Sequence, residues 1–164
     1  MFTVAHTVDD VIDAVATYLQ PFVGGATIVQ AQANRVAMPA NPCVVLTPLF
    51  HKILSTPFTI DDVANSKQSI GTDVQIDVQV DLYGVASGDQ CRAIVDVFRT
   101  SYAVSSLPEW LVPLYSSDGT QSPLITGEQQ YEARWTITLS LQYVAPVDVP
   151  MQFFNQASAT LIAV

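Results

Sequence analysis

The chain has 164 residues, a length that suits one domain with a sizeable core. Hydrophobic residues make up 49% and charged residues 13%, roughly half the ~25% of an average soluble domain, which means either a core large for the chain or, the reading the low charge favours, surface that meets other chains. Fifteen acidic residues against six Lys+Arg give a net charge of −9, and the scattered cations form no stripe; this excludes a conventional nucleic-acid reader and an anionic membrane surface as partner.

The N-terminal MFTVAHTVDD lacks a basic n-region and does not read as a signal peptide. A helix is predicted from Thr7, a good N-cap, with Asp9 and Asp10 in its first turn. Val8, Val11, Ile12, Val15 and Leu19 make one apolar stripe, and Pro21 with Gly24-Gly25 ends it. Ala26–Gln32 reads as a short strand, and Asn34–Pro42, with two prolines and two asparagines, as irregular. Cys43–Leu49 is a compact apolar strand in which Pro48 suggests an edge or a bend.

Residues 50–72 have no clean period. They are expected to form an extended hairpin or arm, with Lys67–Thr72 extending the next strand backwards. That next strand is the clearest signal in the chain. In Asp73–Gly84, Val74, Ile76, Val78, Val80 and Leu82 alternate with Asp73, Gln75, Asp77, Gln79 and Asp81. At ~3.3 Å per residue it spans about 35 Å, with one apolar face and one polar face that carries three carboxylates and no cation.

A second helix follows, capped by Ser87 or Asp89, with Cys91, Ile94, Val95, Phe98 and Tyr102 as its stripe. Trp110–Tyr115 reads as a strand and Ser116–Pro123 as a turn centred on Asp118-Gly119. Glu132–Tyr143 is a second long alternating segment, expected to pair with the first; Pro146 and Pro150 are expected to break it. Gln152–Val164 is an apolar tail, which predicts docking rather than a free end. The fold class is α+β: a mixed, mostly antiparallel sheet with two long strands and two helices on one face, plus the hairpin and the tail.

Little in the sequence points to catalysis. His6 and His51 stand in different elements, and there is no HExxH, paired CxxC or EF-hand pattern. Gly84–Gly88 places its serine one position too late for a nucleophile elbow and reads as a strand-to-helix turn. Cys43 and Cys91 read as buried free thiols rather than the alternative, a disulfide, consistent with a reducing cytoplasm. Neither a metal nor an organic cofactor is expected, and no segment approaches the ~18 apolar residues of a membrane span. Asp73, Asp77 and Asp81 are spaced about 13 Å apart along one strand face, too wide for an acid–base pair or a single metal site. Cross-strand Glu128 or Glu132 would be needed to tighten them. The plain reading is a solvated strand face; the distinct alternative is a surface facing an enclosed, water-filled space.

Several blocks resemble the neck (tail) terminator proteins of tailed bacteriophages. They are Gln32–Pro39 (QANRVAMP), Val44–Leu49 (VVLTPL), Leu54–Thr56, Val78–Gly84 (VQVDLYG), Pro113–Tyr115, and Glu128–Trp135 (EQQYEARW) running on to Leu141–Tyr143. They occur in the family's order and cover most of residues 32–143. The resemblance implies a non-enzymatic virion protein, assembled in the host cytoplasm. It implies a ring, usually a hexamer, at the head-proximal end of the tail. Its implied partners are further copies, the tail tube protein, the head–tail connector or stopper, and in contractile tails the sheath protein. DNA would pass through the ring without sequence-specific binding. Asn34, Arg35 and Pro39 are then a structural motif: a turn, a carboxylate partner and a fixed backbone. A sixfold ring would multiply the −9 of each chain into a phosphate-repelling channel. On that view Asp73, Asp77 and Asp81, with Glu128 and Glu132, line the lumen or a subunit interface. The whole chain, 1–164, is expected to be one such domain, with 50–72 as arm and 147–164 as docking tail. The competing reading is a soluble acidic ligand-binding or regulatory module of the same fold class.

Overall fold

The computed structural model describes residues 3–31, 39–122, 124–125 and 131–152. Strand β1 (Thr3–Val4) leads into helix α1 (Val8–Leu19). Thr7 caps α1 through a reciprocal box: the Asp10 amide donates to Thr7 Oγ1 at 3.2 Å, and the Thr7 amide donates to Asp10 Oδ2 at 2.7 Å. These bonds hold the Asp10 carboxyl below the usual carboxylate range. A 3-10 turn, Gln20–Phe22, carries Pro21 at its start and gives way to Gly24 and Gly25, both at positive φ.

Strands β2 (Thr27–Gln30) and β3 (Cys43–Ile53) run parallel. β3 is longer than the sequence pattern indicates: it lies between β2 and β6 (Asp73–Tyr83) over Cys43–Leu46, and from Pro48 on it pairs with β6 alone, so Pro48 stands on an edge stretch. Pro48 is accommodated by a register shift between Pro48 and Phe50, a bulge that absorbs the missing N–H. Strands β4 (Phe58–Asp62) and β5 (Lys67–Gly71) form an antiparallel hairpin within 50–72. At its root Phe58 lies across from Gly71, its ring filling the space a side chain would take: a Cβ there would meet Phe58 Cζ at 2.6 Å.

Helix α2 (Ser87–Phe98) has Ala86 as N-cap, so neither Ser87 nor Asp89 caps it. Its stripe stops at Phe98. Thr100 caps a new short helix, α3 (Ser101–Ser106), and Tyr102 is exposed there instead of extending the stripe. Strands β7 (Leu111–Ser116), β8 (Thr120–Gln121), β9 (Leu124–Ile125), β10 (Tyr131–Glu132), β11 (Arg134–Val144) and β12 (Val147–Pro150) complete the chain.

The main sheet has the order β2-β3-β6-β11-β7, with β8 also on β11. All its pairs are antiparallel except β2–β3, so the architecture is α+β with a mixed sheet. The two alternating strands are neighbours, as their matched pattern predicts, paired from Arg134–Tyr83 to Val144–Asp73. β11 ends at Val144, before Pro146, as expected, but pairing resumes beyond it. Val147 faces Ile70 and Pro150 faces Lys67 in the same register, so β5–β6 and β11–β12 form one ribbon roughly 55 Å long. Pro146 stands in the gap and its carbonyl accepts from the Ala5 amide. The distal part of the ribbon is flanked by β1 and β4, giving a second sheet of order β1-β12-β5-β4.

Both long helices pack on one face of the main sheet. Val11, Val15 and Leu19 of α1 and Ile94 and Phe98 of α2 join Val78, Val80, Leu82, Ile137, Leu139 and Leu141 in one core. His6 stacks on Trp110 at 4.2 Å and 7°, fixing the start of α1 against the approach to β7. Cys43 and Cys91 are free and buried, and burial pushes both thiols up from their ordinary pKa, which keeps them unreactive. No described helix is long and apolar enough to cross a membrane.

Candidate functional site

The residues of interest lie on the face of β6 and β11 that the helices leave uncovered. The sequence pattern reads this face as solvated. The structure corrects that for two of the three aspartates: Asp77 is 7% exposed and Asp81 4%, while Asp73 is half-buried. The reason is cross-strand neighbours that are polar and bonded rather than acidic. Thr136, Ser140 and Val144 stand opposite Asp81, Asp77 and Asp73.

Asp81 is the more heavily bonded. Arg134 approaches it through Nε at 3.2 Å and Nη2 at 3.0 Å, Thr136 Oγ1 donates at 2.6 Å, and Gln79 Nε2 at 2.8 Å. Arg134 also lies 5.8 Å from the Tyr83 ring centroid, a cation–π contact. At Asp77, Ser140 Oγ donates at 2.7 Å and Gln75 Nε2 at 2.9 Å. Gln75 reaches on to Tyr115 Oη of β7 at 3.2 Å. Polar groups this buried are retained only where they are bonded, so the face is a ladder that fixes the register of β6, β11 and β7. Asp73 sits where the two sheets join. It takes a bond from Gln142 Nε2 at 3.2 Å, while its own amide donates to Ser55 Oγ and its carbonyl accepts from the Leu54 amide.

Glu132 does not tighten this set. It lies in β10, paired with β9, and accepts from Asn41 Nδ2. There it lines an open cleft of about 680 Å³ with Gly24, Pro42, Gly84 and Gln90. Pro39 is half-buried outside regular structure. Asn34, Arg35 and Glu128 lie outside the described residues, as do residues 153–164 of the tail. Among the described residues no group of His, Cys, Asp and Glu is arranged to hold a metal ion. His51 meets Tyr143 Oη at 3.4 Å and His6 meets Trp110; among the described residues neither imidazole is bonded to a carboxylate.

Two features escape the sequence pattern. One is the set of ladder partners, Arg134, Thr136, Ser140 and Gln75, which aligning the two alternating strands in antiparallel register would have found. The other is the apolar character of the hairpin. Ile53 is 70% exposed and Ile60 60%, and Phe50 and Val63 are also exposed. The large exposed hydrophobics there form a cluster, which marks an interaction surface.

No curated protein sequence matches this chain closely enough to count as a relative. The family model described as phage neck terminator protein matches residues 9–163. That match runs from the first turn of α1 past β12, and the chain therefore belongs to the phage neck terminator family, structural proteins of the virion's tail and neck.

Proposed function

We propose that this protein forms a homo-oligomeric ring, a hexamer, at the head-proximal end of the phage tail. The ring caps the tail tube protein, presents its other face to the head–tail connector or stopper protein, and lets DNA pass through its lumen. In a contractile tail it also meets the sheath. The whole chain acts as one terminator domain, with 50–72 and 147–164 as its docking elements.

One observation carries the reading beyond family membership: the spent state of the cations. Arg134 pairs with Asp81, Arg99 with Asp118, Arg92 with Asp96 and Lys67 with Asp148. With four of its five described cations thus occupied and Lys52 alone left over, a chain at −9 offers passing phosphates no adhesive row. Of the acidic set, Asp73 and Glu132 retain exposure and face the lumen or a subunit boundary. Asp77 and Asp81 hold the strands from inside.

Size-exclusion chromatography with light scattering, followed by negative-stain imaging, tests this. Rings with a central hole are expected, with duplex DNA unretained at low salt. A strict monomer at every concentration, alone and with the tube protein, would remove the reading.

A further inference from the structure

We propose that the hairpin flank of one copy, Phe50 to Val63, seats on the α3–β7 flank of the next copy, Tyr102 to Tyr115. This rests on the ring reading and assigns the two surfaces that build it.

The exposed large hydrophobics are not scattered. Among the described residues, seven fall within Leu49–Val63, five within Tyr102–Tyr115, and three elsewhere. Single exposed apolar residues are ordinary, but clusters mark contact surfaces. The two clusters occupy opposite flanks. β4 ends the distal sheet on the β3 side of the ribbon, and β7 ends the main sheet on the other. Phe50 stands across from Asp77, Asp77 from Ser140, and Ser140 from Tyr115, so Phe50 and Tyr115 close the two ends of one row. Two different patches on opposite flanks suit a head-to-tail contact, which closes into a ring, rather than a twofold contact. Both are open strand edges whose outward backbone groups can pair with another chain.

Charge selects a second copy as the occupant. Within 50–72, Lys52 and Lys67 balance Asp61 and Asp62, so the rest of the chain carries the whole −9. Copies of such a protein repel wherever two bodies meet, and least where a neutral hairpin makes the contact. Among the described residues Lys52 has no ion-pair partner, and neither has Glu109, exposed just before β7. One flank thus offers an unpaired cation and the other an unpaired anion.

The test uses the full chain with one substitution on each flank. Ile60→Asp and Leu114→Asp alter exposed side chains, so each is expected to leave the circular-dichroism melt of the monomer unchanged. Each raises the assembly midpoint by about a hundredfold or more. Mixed at high concentration, the two variants retain one intact flank each and give a discrete dimer that cannot propagate. A photo-crosslinking residue at position 63 in the wild-type background labels residues 101–116 of another copy. Rings that persist in either variant, a mixture that stays monomeric, or crosslinks to another segment would overturn the pairing while leaving the ring reading intact. Absence of any wild-type assembly would instead remove the ring reading itself.

Discussion

The ribbon formed by β5–β6 and β11–β12 has two halves that share one register and differ in everything else. In the proximal half, Asp73–Tyr83 against Arg134–Val144, the apolar face lies under two helices and the polar face is a bonded ladder. In the distal half, Lys67–Gly71 against Val147–Pro150, the flanking strand β4 is exposed along most of its length. The same backbone geometry therefore serves two purposes. The proximal half supplies the stability of the fold, and the distal half rides on it with apolar side chains still uncovered. Hydrophobicity alone does not tell the halves apart; whether a helix covers them does.

The sharpest way to break this comparison is to truncate Leu139 in the proximal half and Ile60 in β4, the strand that flanks the distal half. Leu139→Ala, at a fully buried position, is expected to cost about 3 kcal/mol in urea unfolding. Ile60→Ala, 60% exposed, is expected to cost less than about 0.5 kcal/mol. Similar losses at both sites would mean that the hairpin belongs to the folding core.

The polar ladder gives the next largest effect. Asp81→Ala removes the acceptor of Arg134, Thr136 and Gln79 at once. Arg134 keeps 28% of its side-chain exposure and can turn partly to water, so the expected cost is about 2 kcal/mol rather than the larger value of a fully buried broken pair. A double-mutant cycle with Arg134→Ala should return a coupling of about 1 kcal/mol or more. Additive losses would show that the pair is incidental to the ladder.

The hairpin root gives a smaller effect. Gly71→Ala drives a methyl into the Phe58 ring, which must swing aside. The expected cost is about 1 kcal/mol, felt as faster amide exchange in β4 and β5 with β6 unchanged. Restored protection in Gly71→Ala/Phe58→Leu would confirm that the ring is what the methyl meets.

The proximal half was legible in the sequence because strict alternation over eleven residues fixes which side chains share a face. The capped helix over Val8–Leu19 was legible for the same kind of reason: Thr7, Asp10 and a regular stripe agree. What alternation does not fix is how wet a face is. Asp77 and Asp81 are buried because Ser140, Thr136 and Arg134 arrive from a strand more than fifty residues away. Pro48 and Pro146 mark a bulge and a strand end, as their chemistry predicts; what they do not show is that pairing resumes beyond each of them. The break after Phe98 was missed because Tyr102 keeps helical spacing while Thr100 starts a new helix. The candidate surfaces were partly legible: the acidic face came from spacing, whereas the hairpin cluster needed the exposure of Ile53 and Ile60.

Tyr18 tests whether the helix-covered half tolerates polar groups only when they are bonded. Its ring packs against Phe22 at 5.4 Å and Phe98 at 5.8 Å, but its hydroxyl is buried with no partner among the described residues. Burial pushes the phenol up from 10.0 to about 12, with a smaller contribution from nearby Tyr102. The folded state thus favours the neutral phenol. That contribution is fully present below pH 10.0 and is lost as pH rises through about 12. Tyr18→Phe removes an unpaired buried hydroxyl, unlike the bonded Asp81, and is expected to stabilise by about 1 kcal/mol at neutral pH, or about 2–4 °C in Tm. Between pH 10.0 and about 12 the advantage of the variant should widen by up to ~1.4 kcal/mol per pH unit, because the wild type alone must expose and ionise this group. Tyr83 and Tyr143 are raised as well, again chiefly by burial, so the total alkaline profile is composite. The difference between wild type and variant isolates Tyr18, and a difference that stays flat across that window would mean that the folded pKa is not raised and that the hydroxyl reaches water.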